Sequence, residues 1–277
     1  MASKGNANRE SLGDRMKRYE AVTTGTTLLE KIPVYARCDM RAGHTFCKGL
    51  DKPFDIDYVA AMHSAASYLV MMTGAVLGYC QSDEISLVWE DSTKVPFETR
   101  LFKLQSTLAS MCTAAFMKAC FDVPKLKEKL YCRRMLPTFD CRVCNLPNMS
   151  EAANMILWRV RDSIKNSITL LALSEFSTKL LDKKNGAMKI EMLKEHGIDY
   201  YSLDEAYRLG AFFRKEDYMR TLKSEELEHI PDKAKDPVLK DKDGNPAVIR
   251  SHVVQFKLNC NGNQLPCLKD VLFPEST

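Results

Sequence analysis

No stretch of this sequence stays apolar for long enough to cross a membrane. The opening residues Met1-Ala2-Ser3-Lys4-Gly5-Asn6 lack the apolar core of a secretory leader. Strong charge is also missing. A net charge of +4 permits a polyanionic partner but does not argue for one. Any such contact would have to come from local clusters: Lys125-Leu126-Lys127-Glu128-Lys129, Arg133-Arg134, Lys179 with Lys183-Lys184, and Arg214-Lys215. The ten cysteines show no compact disulfide spacing, so they are expected to be reduced thiols in the cytoplasm. Cys141-x-x-Cys144 has no second Cys/His pair at zinc-binding spacing. If residues 140–146 form a strand, those two thiols face opposite sides of it. There is no internal repeat.

With 277 residues the chain can bury an ample core. Its centre of organisation is Gly78 to Trp89. Val76 and Leu77 lead in, and Ile85, Leu87 and Trp89 alternate with Ser86 and Val88 on the way out. That is a strand signal interrupted by Gln81-Ser82-Asp83-Glu84, residues that turns favour. The reading is a hairpin with two adjacent carboxylates, Asp83 and Glu84, at its tip. Hard divalent cations are held by oxygens presented in this way.

A second acidic point lies upstream. The apolar run Pro33 to Cys38 carries Arg37 and ends at Asp39-Met40-Arg41-Ala42-Gly43-His44-Thr45-Phe46. Asp39 closes a strand here, with an arginine on either side. Asp39 and Asp83 could share divalent metal, while Arg37 and Arg41 meet phosphate oxygens. Two ions so held can clamp the entering and leaving oxygens of a phosphoryl displacement.

The rest of the chain fits around these points. Ser11 to Glu20 reads as a short charged helix. Lys52-Pro53-Phe54-Asp55 opens a helix with Val59, Met62, His63, Ala66 and Val70 at helical spacing, and His63 is expected to pack on it. Residues 99–120 read as a second helix, with Arg100 and Lys103 on one face. Residues 121–138 read as a basic connection. Phe139 to Leu146 is a further strand, and Glu151 to Ala172 a long helix carrying Trp158, Arg159, Asp162 and Asn166. Arg159 and Asp162 are spaced to pair, and Asp162 and Asn166 lie four apart on one face. The order strand, helix, two strands, helix, strand predicts an α+β fold, a ferredoxin-like βαββαβ palm. This catalytic domain spans residues 1–173. Residues 174–277 are expected to form a mainly helical extension, with a late strand pair near 248–256.

Five segments together resemble the Thg1 family of tRNA guanylyltransferases, and more closely its Thg1-like branch in bacteria and phages. They are Asp39-x-Arg41-x-x-His44-x-Phe46, Lys52-Pro53-x-Asp55, Gln81-Ser82-Asp83-Glu84-x-Ser86, Phe139-Asp140-x-Arg142-Val143 and Trp158-Arg159-x-x-Asp162-x-x-x-Asn166. The resemblance implies a palm-type polymerase that adds nucleotides to the 5′ end of RNA. ATP adenylylates a 5′-monophosphate, and the 3′-hydroxyl of an incoming NTP then displaces AMP. It implies two Mg²⁺ ions on Asp39, Asp83 and the Met40 carbonyl, with Glu84 tuning or joining that set. His44 and Arg41 would orient the activating nucleotide, with Lys52 and Asp55 beside it. Ser82, Arg100, Lys103 and Arg142 would meet GTP or another triphosphate, or the RNA end. Asn166 is a further candidate nucleotide or RNA contact. It further implies tRNA as partner and a homotetramer.

Three departures matter. The family usually has Gly at the position of Met40, and an aromatic at that of Gly43. In its histidine-tRNA-specific members His-Ile-Asn-Asn follows the Trp-Arg motif, whereas this chain has Ile164-Lys165-Asn166-Ser167. The expected activity is therefore template-directed 5′ repair of truncated tRNAs. The alternatives are addition of one guanosine to histidine tRNA, a palm-type nucleotide cyclase, or a silent tRNA-binding protein.

Overall fold

A computed structural model describes residues 10–132, 136–229, 239–260 and 265–273. The Arg133-Arg134 cluster lies outside them. The elements in chain order are α1 (Leu12–Thr24), β1 (Val34–Met40), α2 (Gly43–Cys47), α3 (Ile56–Thr73), β2 (Leu77–Gln81), β3 (Glu84–Trp89), α4 (Leu101–Phe121), α5 (Pro124–Cys132), β4 (Phe139–Asn145) and α6 (Met149–Glu175). There follow α7 (Thr178–Leu181), α8 (Gly186–Glu195), α9 (Glu205–Arg208), β5 (Ala211–Thr221), α10 (Ser224–Glu228), β6 (Leu239–Lys240), β7 (Pro246–Phe256) and α11 (Leu268–Leu272).

The strands form one antiparallel sheet in the order β4-β1-β3-β2-β5-β7-β6. Its first four strands, with α3 and α4 as the connecting helices, are the expected ferredoxin-like unit. Alternation along each strand decides what each side chain meets. Cys38, Met40, Ile85 and Leu87 face one core with Leu69 of α3 and Leu108 of α4. Tyr35 and Val88 face the other, with Ile156 and Val160 of α6. Each large apolar side chain fully buried this way stabilises the fold by roughly 1.5–3 kcal/mol. The helix ends follow local chemistry. Asp55 caps α3 by accepting the Tyr58 N–H, and Asn148 caps α6 by accepting the Glu151 N–H.

Four expectations need correction. The extension is mainly helical only to residue 208, with the short α10 and α11 as the later helices among the described residues. Beyond that residue, β5 pairs with β2 and β7 with β5, so the C-terminal segment widens the same sheet. Residues 248–256 form part of a single long strand rather than a pair. Residues 124–132, read as a connection, form α5, which buries Leu126 and Leu130. The boundary expected at residue 173 falls within α6. The join is tight: the Tyr79 hydroxyl donates to the Leu209 carbonyl at 2.7 Å. Gly210 lies beside it at φ +85°, where a Cβ would come within 2.6 Å of the Tyr79 ring. Only glycine suits both the space and the backbone there.

Candidate active site

Two adjacent β-ends build the site. Ser82 and Asp83 form the turn between the paired residues Gln81 and Glu84. Ser82 has the positive φ (+50°) that such short hairpins require. The Met40 N–H donates to the Asp83 carbonyl at 3.0 Å, so the hairpin tip is stitched to the end of β1. Register then aligns Asp39 between Glu84 on β3 and Asp140 on β4. Arg37 lies two pairs further back, opposite Arg142.

The two hairpin carboxylates have different surroundings. Glu84 is buried and committed to cations. Its Oε1 accepts from Arg159 Nε at 2.7 Å, and Arg37 Nε lies 3.6 Å from Oε2. Arg159 also donates to Asp162 at 3.1 Å, and Asn166 donates to the same carboxylate at 3.3 Å. Burial lifts the Glu84 carboxyl above its ordinary value, and Arg159 and Arg37 oppose that lift. Burial likewise raises the Asp83 carboxyl. Its own backbone N–H and the Ser82 hydroxyl oppose the rise, and the Asp39 charge reinforces it. No ion pair among the described residues includes Asp39 or Asp83.

Such a charged pair suits a hard divalent ion. No group of three or more His, Cys, Asp or Glu converges among the described residues. Two carboxylates and a backbone carbonyl are nevertheless the donor set from which Mg²⁺ completes its shell with water and phosphate oxygens. Gly43 is part of this arrangement. A Cβ there would lie 1.9 Å from Asp83 Oδ2, so the missing side chain is what lets the carboxylate rest against α2. That gives the departure at Gly43 a consequence in the fold.

A cavity of about 660 Å³ opens from Asp83 between α3 and α6 and reaches α9. Its walls bring together His44, Lys52, Asp55, Ser82, Asp83 and Asn166. Asp55 is more than a rim group. Burial pushes its carboxyl up, but Lys125 and the N–H groups of Tyr58 and Asp51 outweigh this and hold it below its ordinary value. Arg41 is exposed beyond β1, and Arg100, Lys103 and Arg142 are exposed around the core. None of these four lines the cavity. Arg100 pairs with Glu98 at 3.5 Å, Lys103 sits over the Phe97 ring, and Arg142 lies 3.8 Å from Asp140.

Sequence reading missed the far end of the cavity. Tyr207 of α9 stacks on Phe54 at 4.9 Å, and Ser163 and Ser167 of α6 donate to the Arg208 carbonyl. The available signal was the four-residue spacing of those serines on one helix face. His63 packs edge-to-face on Phe213 as expected, and burial pushes its pKa down to about 4 against the pull of Asp204. A depressed imidazole leaves the unfolded chain as the stronger proton binder. Stability should therefore fall as pH drops from about 6.5 to about 4, by at most about 3 kcal/mol from this group. Urea midpoints at neutral and acid pH should shift less in His63→Gln than in the parent. Equal shifts would mean that the imidazole is not held neutral.

Residues 13–147 match the family described as Thg1, tRNAHis guanylyltransferase. The tRNA(His) guanylyltransferase of Schizosaccharomyces pombe is 30% identical over 218 residues, covering 73% of this chain and 79% of that protein. The chain belongs to the Thg1 family. It is a nucleotidyltransferase of the tRNA guanylyltransferase type. A solved bacterial Thg1-like protein in complex with ATP superposes with TM-score 0.66 at 38% identity, covering 74% of this chain and 87% of that one. A bacterial Thg1-like protein in complex with GTP gives TM-score 0.64 at 31% identity, covering 89% and 91%. The βαββαβ unit is thus a family fold, and nucleotides are what those relatives hold. No described helix is long and apolar enough to cross a membrane.

Proposed function

We propose that this chain repairs the 5′ ends of truncated tRNAs in the cytoplasm by template-directed 3′–5′ nucleotide addition, working as a homotetramer. The carrying observation lies on α6. Ile164 packs between two apolar clusters, where the histidine-specific pattern has an imidazole. Ser167 is buried, with its Oγ 2.9 Å from the Tyr200 hydroxyl. Asn166 and Ser167 line the cavity, and the Ser167 hydroxyl is already engaged there by Tyr200 and the Arg208 carbonyl. An isoleucine can neither donate nor accept a hydrogen bond, so a reader of one fixed tRNA identity is missing there.

In this reading Asp39, Asp83 and the Met40 carbonyl hold magnesium, which supplies charge neutralisation and polarises phosphoryl oxygens when bound. His44, Lys52 and Ser82 bind and orient ATP along the cavity, with Asp55 fixing the segment that carries Lys52. The RNA 5′-phosphate oxygen attacks the α-phosphorus of ATP, and pyrophosphate leaves. Arg41, Arg100, Lys103 and Arg142 take the phosphates of the incoming GTP or other NTP and of the RNA end. The 3′-hydroxyl of the incoming NTP then attacks the activated 5′ phosphorus of the RNA, and AMP leaves. Positioning and charge compensation carry both steps. Glu84 acts through Arg37 and Arg159, holding the hairpin that presents Asp83.

The test compares histidine tRNA with a truncated non-histidine tRNA, each also with its anticodon exchanged, in the presence of ATP, NTPs and magnesium. Both should be extended irrespective of anticodon. Triphosphorylated RNA should need no ATP, while monophosphorylated RNA should require it. Strict dependence on the histidine anticodon would replace this reading with single-guanosine addition.

A further inference from the structure

The chain has two tryptophans, and the fold treats them in opposite ways. Trp89 is wholly buried, whereas Trp158, midway along α6, is 53% exposed. The exposed indole is fixed from behind. The Arg159 guanidinium carbon lies 4.4 Å from its ring centroid and that of Arg37 lies 5.6 Å away. Glu84 holds both arginines in turn. Trp158 is therefore an oriented ring, and through Arg37 it stands only two residues along β1 from Asp39.

Its surroundings favour a polyanion. Arg161 and Lys165 follow at helical spacing on the same side of α6. Both are exposed, and no ion pair among the described residues includes them. Arg142, exposed on the neighbouring strand, lies opposite Arg37 in register. Of the neighbouring acidic groups, Glu84 and Asp162 are held by Arg159, and Asp140 lies 3.8 Å from Arg142. An aromatic face set among cations, beside a phosphoryl-transfer site, suits a nucleobase whose backbone phosphates lie alongside it.

We propose that Trp158 is a stacking platform for a base at the open end of the RNA substrate, with Arg142, Arg161 and Lys165 holding the adjoining phosphates. This rests on the tRNA-repair reading above. Stacking tolerates any base, because every base has a π face. The platform thus positions the RNA end without selecting its identity, as repair of varied tRNAs requires.

Because Trp89 is sealed in the core, changes in tryptophan emission report on Trp158. Titrating the full-length protein with a 5′-truncated tRNA transcript should quench that emission and shield it from acrylamide. ATP with magnesium alone should do neither. Trp158→Ala should weaken tRNA binding by about tenfold to a hundredfold, whereas Trp158→Phe should stay within about threefold of the parent. If tRNA binds the parent while emission and quenching stay unchanged, the platform is wrong although the repair reading survives. If no tRNA binds the parent, the repair reading itself fails. If acrylamide protection tracks protein concentration in the absence of RNA, the surface belongs to a second copy of the chain and the proposal is overturned.

Discussion

Asp83→Asn should lower nucleotide transfer by at least about a thousandfold and at the same time raise the melting temperature of the metal-free protein. The first effect follows from removing one of two carboxylates in the candidate metal site. Metal charge stabilisation is worth several kcal/mol at a phosphoryl transition state, and each 1.36 kcal/mol is about tenfold in rate. The second follows from the surroundings of Asp83. Burial and the neighbouring Asp39 raise its carboxyl pKa, so the folded chain holds that proton more tightly than the unfolded chain does. The ionised form therefore costs stability. The cost sets in as pH rises through the unfolded value and is complete above the folded one. A neutral amide of the same shape removes it. The variant should melt higher than the parent at pH 7, with the gain shrinking as pH falls toward about 4. Asp39→Asn should show the same loss of activity. Metal-free melting curves at several pH values, with turnover in magnesium, check both effects. Near-normal turnover in either variant would remove these residues from the site.

Arg159→Met should destabilise the fold by about 3–5 kcal/mol, since it leaves the buried Glu84 carboxylate without its principal partner. Glu84→Gln combined with Arg159→Met should recover much of that loss, because the uncompensated charge is then gone. Arg159→Lys should recover less. A single ammonium cannot reproduce the fork that serves Glu84 and Asp162 together. Activity should fall with stability in the single variant, as Glu84 is the first residue of β3 and directly follows Asp83. Urea denaturation of the three variants decides this. A cost below about 1 kcal/mol for Arg159→Met would mean that the pair is solvated rather than buried.

These two variants probe adjacent residues with opposite fates, and that contrast was not visible in the chain. Asp83-Glu84 reads as two equivalent carboxylates in a turn. In the fold, one meets Asp39 and the other meets two arginines. The exposed cations Arg100, Lys103 and Arg142 show the reverse case. Their sequence positions are plain, yet they stand around the core rather than in the cavity.

Local rules were enough for much of this protein. Period-two and helical patterns located β1 to β4, α3, α4 and α6, because one-sided burial leaves that imprint on each element. Strand ends and turn chemistry placed Asp39 and Asp83 at the same edge, and the order of elements implied the βαββαβ unit. The spacing of Arg159 and Asp162 on one helix predicted their ion pair, and put Asn166 on the same face as Asp162. Long-range pairing decided the rest. Glu84 and Arg159 are 75 residues apart, and nothing local distinguishes that arginine from a solvated one. The register Asp39↔Glu84 is set by whole strands fitting two cores. The join of β5 to β2 turned an expected helical extension into part of the sheet, because the edge of β2 is satisfied only by a partner from far along the chain. The cavity, too, exists only once α9 closes over α3 and α6. Its volume is the space left between these helices, the segment from α2 to α3 and the hairpin tip, a property that none of them carries alone.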